Sequence, residues 1–451
     1  MMIQLTDSII NNPKFKAARE IIRKLKENTH EAFIVGGAVR DMLLNEEPNE
    51  FDISTSATPK EIETIFSRTK SVGQSFGVML VLIDDISIEV ATFRKDMQYN
   101  DGRHPEEVVY TKHVEEDIER RDFTVNGLVL DPETSQIFDY CEGIKDIESK
   151  IIRTIGLPEK RFSEDYLRML RAIRFSNRFN FDIEEKTKAA LSKNAEKISL
   201  ISIERIRDEI TRIIAESNNP GKGMMSLSDF GLLKHIIPEI EDLKNVEQPE
   251  EFHPEGDVFV HTCLVLDMLD YNEKDNTELA YGALLHDIGK PKTKTVTDRI
   301  RFNRHEYVGA NMTEKICKRL KFSNKQTSNI KSLVSEHMKF GNIKQMKKST
   351  FKKFISLHNF DNHLALHKAD CLGSHGDLSL YDYTLARIDE LKNEPIKPEP
   401  LITGDDLISL GLEPSPKFKE ILSKIFDEQL EGNITSKEEG IELAKNLGLK
   451  E

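Results

Sequence analysis

Long apolar runs are missing from this chain. Over 451 residues no stretch approaches the ~20 consecutive apolar residues that cross a bilayer, which argues against a membrane-spanning helix. The opening residues, MMIQLTDSIINNPKFK, also lack the apolar core of a secretory signal, and we expect a cytoplasmic protein. Cysteine is scarce. Cys141, Cys263, Cys317 and Cys371 stand far apart with no CxxC pair, so neither a disulfide framework nor a zinc–thiolate site is expected. Basic residues are outnumbered, 64 Lys and Arg against 78 Asp and Glu, for a net charge of −14. That balance argues against a protein that coats itself in nucleic acid. The positive charge is nevertheless local. RMLRAIRFSNRFNF and EHMKFGNIKQMKKSTFKKF (336–354) are basic stretches, each readable as a phosphate-binding groove or as a solvated face. There is no internal repeat and no low-complexity tract.

What is present is globular: 38% hydrophobic and 31% charged residues, in a chain long enough for several domains. Residues 14–29 pattern as an amphipathic helix, and AFIVGGAVRD as a strand, a glycine turn and a helix start. GVMLVLID and SIEVATFR are β-rich runs joined by a turn containing two aspartates, a predicted hairpin. DFTVNGLVLDP starts either a helix or another strand. Beyond about residue 160 the strand signals nearly vanish and helical patterns follow one another, with a proline-rich boundary, NEPIKPEP, near residue 395. The predicted fold class is α+β: a small mixed-sheet head over 1–150, a helical neck over 151–245, an all-helical body over 246–395 and a small helical tail over 396–451.

The stretch FIVGGAVRDMLLNEEPNEFDIST (33–55) carries the first chemical signal. Gly36 and Gly37 allow a phosphate to approach the backbone, at the start of a helix whose first N–H groups are unpaired, and Arg40 adds a cation. The alternative is a turn that needs glycine only for steric reasons. Glu50 and Asp52 flank Phe51, so on a strand both acids share a face. Two carboxylates side by side repel unless a cation lies between them, and two-metal phosphoryl transfer uses such acids to hold ions roughly 3.5–4 Å apart. Glu89, on the predicted neighbouring strand, is the candidate third acid.

GGAVRD followed by acid-x-acid and IST resembles the class II nucleotidyltransferases of the polymerase-β superfamily, which include the tRNA CCA-adding enzymes and bacterial poly(A) polymerases. RRDFTVNGL (120–128), RFSEDYLRMLRAIRF (161–175) and ISIERIRDEI (201–210) extend the resemblance through most of the chain. It implies a five-stranded head sheet, Mg2+ held by Glu50 and Asp52 with Glu89 as the further catalytic acid, and Arg121, Asp122 and Asn126 on ribose and phosphates. It also implies template-independent addition of C, C and A to a tRNA 3′ end from CTP and ATP, with release of pyrophosphate. One departure stands out. The family carries aspartate at both metal positions, and here the first is Glu50. Its extra methylene must be absorbed by the backbone, or catalysis is slower or favours Mn2+, because the Mg2+ shell is strict at about 2.0–2.1 Å.

Asp165 and Arg168 stand three residues apart and Arg171 and Arg174 continue the step, which on a helix places the first pair as neighbours and the later arginines toward a triphosphate. A carboxylate accepts from an exocyclic amino group and a guanidinium donates to a bare ring nitrogen. Cytosine and adenine both offer that pattern; guanine and uracil meet the wrong partner twice, at roughly 1–3 kcal/mol per unsatisfied group. The alternative is a plain helix ion pair. The segment FRKDMQYNDGRHPEEV (93–108) resembles the flexible loop that CCA-adding relatives keep between two catalytic motifs. Finally, His261, His286 with Asp287 in LLHDIGK, and Asp370 resemble the metal set of the HD phosphohydrolases, with His305 and His337 as extra candidates. Other readings are an A-adding specialist or a poly(A) polymerase on the same scaffold, an HD phosphohydrolase with an impaired head, and a non-catalytic RNA-binding protein. The sequence leaves monomer and homodimer equally open.

Overall fold

The computed structural model describes residues 1–72, 77–96, 108–251, 253–270 and 277–448. It forms two compact units, 1–238 and 239–451.

In the first unit, Asn12 caps a helix over Pro13–Glu27 by accepting from the backbone N–H groups of Lys14 and Phe15, with Pro13 at the first helical position. Phe15, Ala18, Ile21, Ile22 and Leu25 form its buried stripe, which packs on a sheet. The strands are β1 (Ala32–Val35), β2 (Ile53–Thr55), β3 (Thr69–Ser71), β4 (Val78–Ile83), β5 (Ile86–Thr92), β6 (Arg94–Asp96), β7 (Val108–Tyr110), β8 (Leu128–Asp131) and β9 (Gln136–Asp139). Seven of them make one sheet in the order β3-β4-β5-β2-β1-β8-β9. Only the β2–β5 pairing is parallel, so the sheet is mixed. The expected five-stranded sheet is thus too small. The outer strands are three or four residues long, too short for a periodic pattern to reveal them. The predicted β4–β5 hairpin is present, closing at Ile83 opposite Ile86. DFTVNGLVLDP yields both alternatives, a 3-10 turn at Thr124–Asn126 and then β8. β6 and β7 pair as a separate ribbon, so 94–96 and 108 of the loop expected over 93–108 are strand, and 97–107 lie outside the described residues.

The helical neck of this unit begins with helices Pro158–Glu164 and Leu167–Phe179. Leu167, Met169, Leu170, Ala172, Ile173 and Phe175 bury one face of the latter, against which helix Ile203–Ala215 packs. A two-residue parallel pairing of β10 (Ile151–Ile152) with β11 (Asp182–Ile183) ties the neck's start to the turn after that helix.

The second unit is built on helices Val258–Asp267, Thr277–Leu285, His305–Arg319, Asn324–Glu336 and Phe360–Leu372. A hairpin of β12 (Lys294–Val296) and β13 (Ile300–Phe302) interrupts them, a strand signal absent from the helical reading of this region. The tail helices Pro416–Glu431 and Lys437–Gly448 have their own core of Ile402, Leu407, Ile421, Ile425 and Ala444. Among the described residues no helix is long and apolar enough to cross a membrane, and the four cysteines are free.

Candidate active site

The acids stand just ahead of β2 rather than within it. Phe51 between them is 2% exposed and packs edge-on against Phe15 at 5.5 Å between ring centres. This wedge turns Glu50 and Asp52 to the solvent side. The ladder reaches back far enough for Val35 N–H to donate to Asp52 O at 3.0 Å, which ties the acid to the end of β1 and so to the glycine turn. The parallel register pairs Ile53 with Val90. One residue earlier, Asp52 therefore stands beside Glu89, whose side chain is exposed on β5. Desolvation and the charges of Glu89 and Glu50 push the Asp52 carboxyl up to about 6. An all-oxygen acid cluster that resists its own ionisation is the donor set that suits a hard divalent cation.

Gly36 has φ +68°, and a Cβ there would lie 3.1 Å from an Arg121 guanidinium nitrogen, so glycine is required both for the turn and for the arginine's approach. Arg40 is 4% exposed. It donates to Asp41 at 2.6 and 2.9 Å and to the Asn126 side-chain oxygen, and it lies over the Phe179 ring at 4.5 Å. Burial lowers its pKa below the usual guanidinium value.

Gly36, Gly37, Arg40, Asp52, Arg121, Asp122, Asn126, Asp165, Arg168, Arg171 and Arg174 line one cleft of about 480 Å³, together with Arg120, Arg178 and Arg205. Eight arginines and three acids line this wall, and Asp41, Asp117, Glu164 and Glu209 pair with several of the arginines from behind; the clustered guanidinium groups suit a triphosphate. Glu50 and Glu89 do not line it; they act on it through Asp52. Asp122 is buried, with Arg171 donating at 2.6 and 2.7 Å, Phe123 N–H at 2.8 Å and Asn126 at 3.1 Å. Against its burial, Arg171, the Asn126 hydrogen bond and Arg168 hold its carboxyl well below the usual range. Arg174 is pushed down to about 10 by burial and by Arg171 and Arg212, against the pull of Glu209.

One expected contact is corrected. Asp165 and Arg168 are not a pair on one helix, because the helix breaks at Asp165, whose backbone is extended at φ −156°, ψ 104°. Arg168 instead donates to Glu164 at 2.6 Å and to the carbonyls of Arg161 and Arg120. Asp165 accepts from Arg205 at 2.7 and 3.3 Å and from Leu167 N–H at 3.0 Å. Arg205 and Glu164 went unassigned in the sequence, although both sit in motifs singled out there. Nothing short of the tertiary fold brings residue 205 to residue 165.

The second cluster lies in the C-terminal unit. His261, His286, Asp287 and Asp370 come together there, joined by His305 and His337. Nε2 of His261 is 3.3 Å from Nε2 of His286 and 3.1 Å from Asp370. Asp287 lies 3.2 Å from His286 and 3.3 Å from His305, whose Nε2 is 3.2 Å from that of His337. The other nitrogens face outward. Nδ1 donates to the carbonyls of Ala283, Phe302 and Val334 in His286, His305 and His337, at 2.7–2.8 Å. In His261 it stands 2.7 Å from Glu255, a partner the sequence did not suggest. Fixing Nδ1 leaves four Nε2 atoms converging with two carboxylates, the arrangement of metal ligands oriented by their outer partners. Burial opposes charge on His261, yet Asp370 and Glu255 push it up to about 9, whereas His337, buried among the other imidazoles, is pushed down to about 3. The basic run 336–354, by contrast, spends much of its charge internally: Lys348 and Lys352 pair with Glu394, and Lys353 with Asp427.

The mixed sheet thus sets its acids beside a glycine corner, across from a helix of arginines. Residues 32–153 match the family model described as the poly A polymerase head domain, 180–244 that of a probable RNA and SrmB-binding site of polymerase A, and 258–396 that of the HD domain. The CCA-adding enzyme of Ligilactobacillus salivarius is 32% identical over 449 residues, covering 96% of this chain and 97% of that protein. That of Enterococcus faecalis is 45% identical over 208 residues, 46% of this chain and about half, 51%, of the relative's length. The crystal structure of the Bacillus stearothermophilus CCA-adding enzyme in complex with CTP superposes with a TM-score of 0.74 at 25% identity, covering 96% of this chain and 98% of that one. The chain belongs to the CCA-adding enzyme family.

Proposed function

We propose that the protein adds C and A nucleotides to the 3′ end of tRNA from CTP and ATP, without a template, releasing pyrophosphate. The observation that carries this reading is that Asp52 shares one arginine-lined cleft with the Gly36–Gly37 corner and with Asp165 and Arg168. Glu50 and Asp52, with Glu89 alongside, would hold divalent cations, Mg2+ or Mn2+, which activate the attacking hydroxyl and neutralise the departing pyrophosphate when bound. The chain's own part is to position. Arg171, Arg174 and Arg121 offer guanidinium groups to the phosphates. Asp122 and Asn126 keep Arg171 and Arg40 in place. Asp165 and Arg168 present an acceptor and a donor to the amino group and ring nitrogen shared by cytosine and adenine. The tRNA is held by backbone and shape along neck, body and tail. The names of the relatives favour this reading over a poly(A) polymerase.

The test supplies tRNA transcripts ending at the discriminator base, at C and at CC with each nucleotide singly and with CTP and ATP together. Stepwise completion of CCA and no long tail is the expected result. Long adenosine tails on unrelated RNA would replace this reading with the polymerase. Asp165→Ala and Arg168→Ala should each lower selection of CTP over UTP at least tenfold.

The convergence of four imidazole Nε2 atoms on Asp287 and Asp370 supports a second, metal-dependent phosphohydrolase activity in the HD body. Its nitrogen and oxygen donors suit a first-row transition metal. Mn2+ or Ni2+ should raise the melting temperature and promote hydrolysis of p-nitrophenyl phosphate or its bis-ester. His286→Ala should abolish both effects and leave nucleotide addition intact. Neither stabilisation nor hydrolysis by any divalent ion would remove this second reading.

A further inference from the structure

Asp165 and Arg168 are three residues apart in a cleft and opposite in charge, so the simplest outcome is that they pair with each other and lose the edges a base must contact. The structure avoids this by crossing the partners. Asp165 takes the fork of Arg205 from helix Ile203–Ala215, at 2.7 and 3.3 Å, while Arg168 takes Glu164 at 2.6 Å. Arg205 reaches across 40 residues of sequence to do so, and it lines the cleft rather than the packed face of its helix. One Asp165 oxygen also accepts from Leu167 N–H, so three fixed donors set the plane of the carboxylate.

We propose that Arg205 is a specificity-determining positioning residue: it holds the Asp165 carboxylate apart from Arg168 and in the plane from which it accepts an exocyclic amino group. This rests on the reading of Asp165 and Arg168 as the base-contacting pair. A carboxylate with two acceptor oxygens has lone pairs to spare, so the fork orients it without exhausting it. Lysine replaces the fork by a single point charge. It keeps Asp165 away from Arg168 but frees rotation of the carboxylate plane.

The experiment measures incorporation of each of the four nucleotides by the full-length protein on tRNA ending at the discriminator base and at CC, for the parent, Arg205→Met, Arg205→Lys and Asp165→Ala. Arg205→Met should lower the CTP-to-UTP and ATP-to-GTP ratios of kcat/KM at least tenfold, and Arg205→Lys should fall between it and the parent. A merely structural role would change the melting temperature and scale all four nucleotides together. Ratios within twofold of the parent in Arg205→Met overturn the proposal. Should that variant fail to fold, ratios within twofold in Arg205→Lys do the same. If Asp165→Ala itself keeps the parent's ratios, the base-contact reading has failed, and the Arg205 proposal falls with it; the two failures are told apart by that variant.

Discussion

Asp52→Asn is expected to reduce nucleotide incorporation at least ~10³-fold, about 4 kcal/mol of barrier, while leaving the melting temperature unchanged or raised. The reason lies in the desolvation of Asp52 and its crowding by Glu89 and Glu50. Asparagine keeps the shape, relieves like-charge repulsion and removes the ionised oxygen a cation needs. The pH dependence has a definite sign. In the metal-free protein the folded Asp52 titrates near 6 against an ordinary value of 3.8, so the folded state holds this proton more tightly than the unfolded one. Its contribution to stability is present below about pH 4 and is lost as pH rises through 6. Mg2+ competes with the same proton, so its apparent affinity should climb through pH 6 and level off above 7. Thermal melts with and without Mg2+ at pH 5.5 and pH 8 measure this: the Mg2+ increment should be larger at pH 8, and Asp52→Asn should erase the difference. An Asn variant of near-parental activity would remove Asp52 from the chemistry.

Asp122→Ala should instead act through the fold. The carboxylate accepts from Arg171, from the Phe123 backbone and from Asn126. Its loss leaves Arg171 with Glu209 at 3.9 Å as the nearest acid. Stranding one member of a buried ion pair costs about 3–5 kcal/mol, discounted here to about 3 kcal/mol because the Arg171 side chain is 30% exposed. For a unit of this size that is a drop of roughly 6–12 °C in its melting transition. Because Asp122 is held below the usual carboxylate range, its contribution persists at neutral and mildly acid pH and is lost only in strong acid. Incorporation should fall as well, since Arg171 lines the cleft. Calorimetry on Asp122→Ala beside Asp52→Asn separates the two kinds of loss. A melting point for Asp122→Ala within 2 °C of the parent would contradict the buried-pair account.

Much of this was legible in the sequence because it is local. The glycine turn, the alternation of Glu50, Phe51 and Asp52, the β4–β5 hairpin and the arginine row of helix Leu167–Phe179 are all written within a few residues. The HD cluster was legible for a different reason: His286 and Asp287 are adjacent, and each outlying member falls in an element of its own. What stayed hidden depends on distance in the chain or on breaks in regular structure. The three-residue spacing of Asp165 and Arg168 suggested neighbours on one helix, yet the backbone leaves the helix at Asp165, and the partners come from positions 205 and 164. The sheet is seven strands wide because several of its strands have only three or four residues. The role of Glu255 depends on where His261 directs its second nitrogen, which no spacing rule records.

Gly289, in the turn that carries His286 and Asp287, lies hard against the helix that bears His305. A Cβ there would lie 2.2 Å from the His305 carbonyl oxygen and 2.7 Å from the Gly309 nitrogen, so this turn and the helix bearing His305 touch backbone to backbone. His305 is therefore set near His286 and Asp287 by a backbone contact at which residue 289 places no side chain. Anything that lifts that helix, even a methyl group at 289, must move His305 away from Asp287 as well. A metal ion held by this cluster would link ion affinity and helix docking in a single equilibrium, in which each reports on the other.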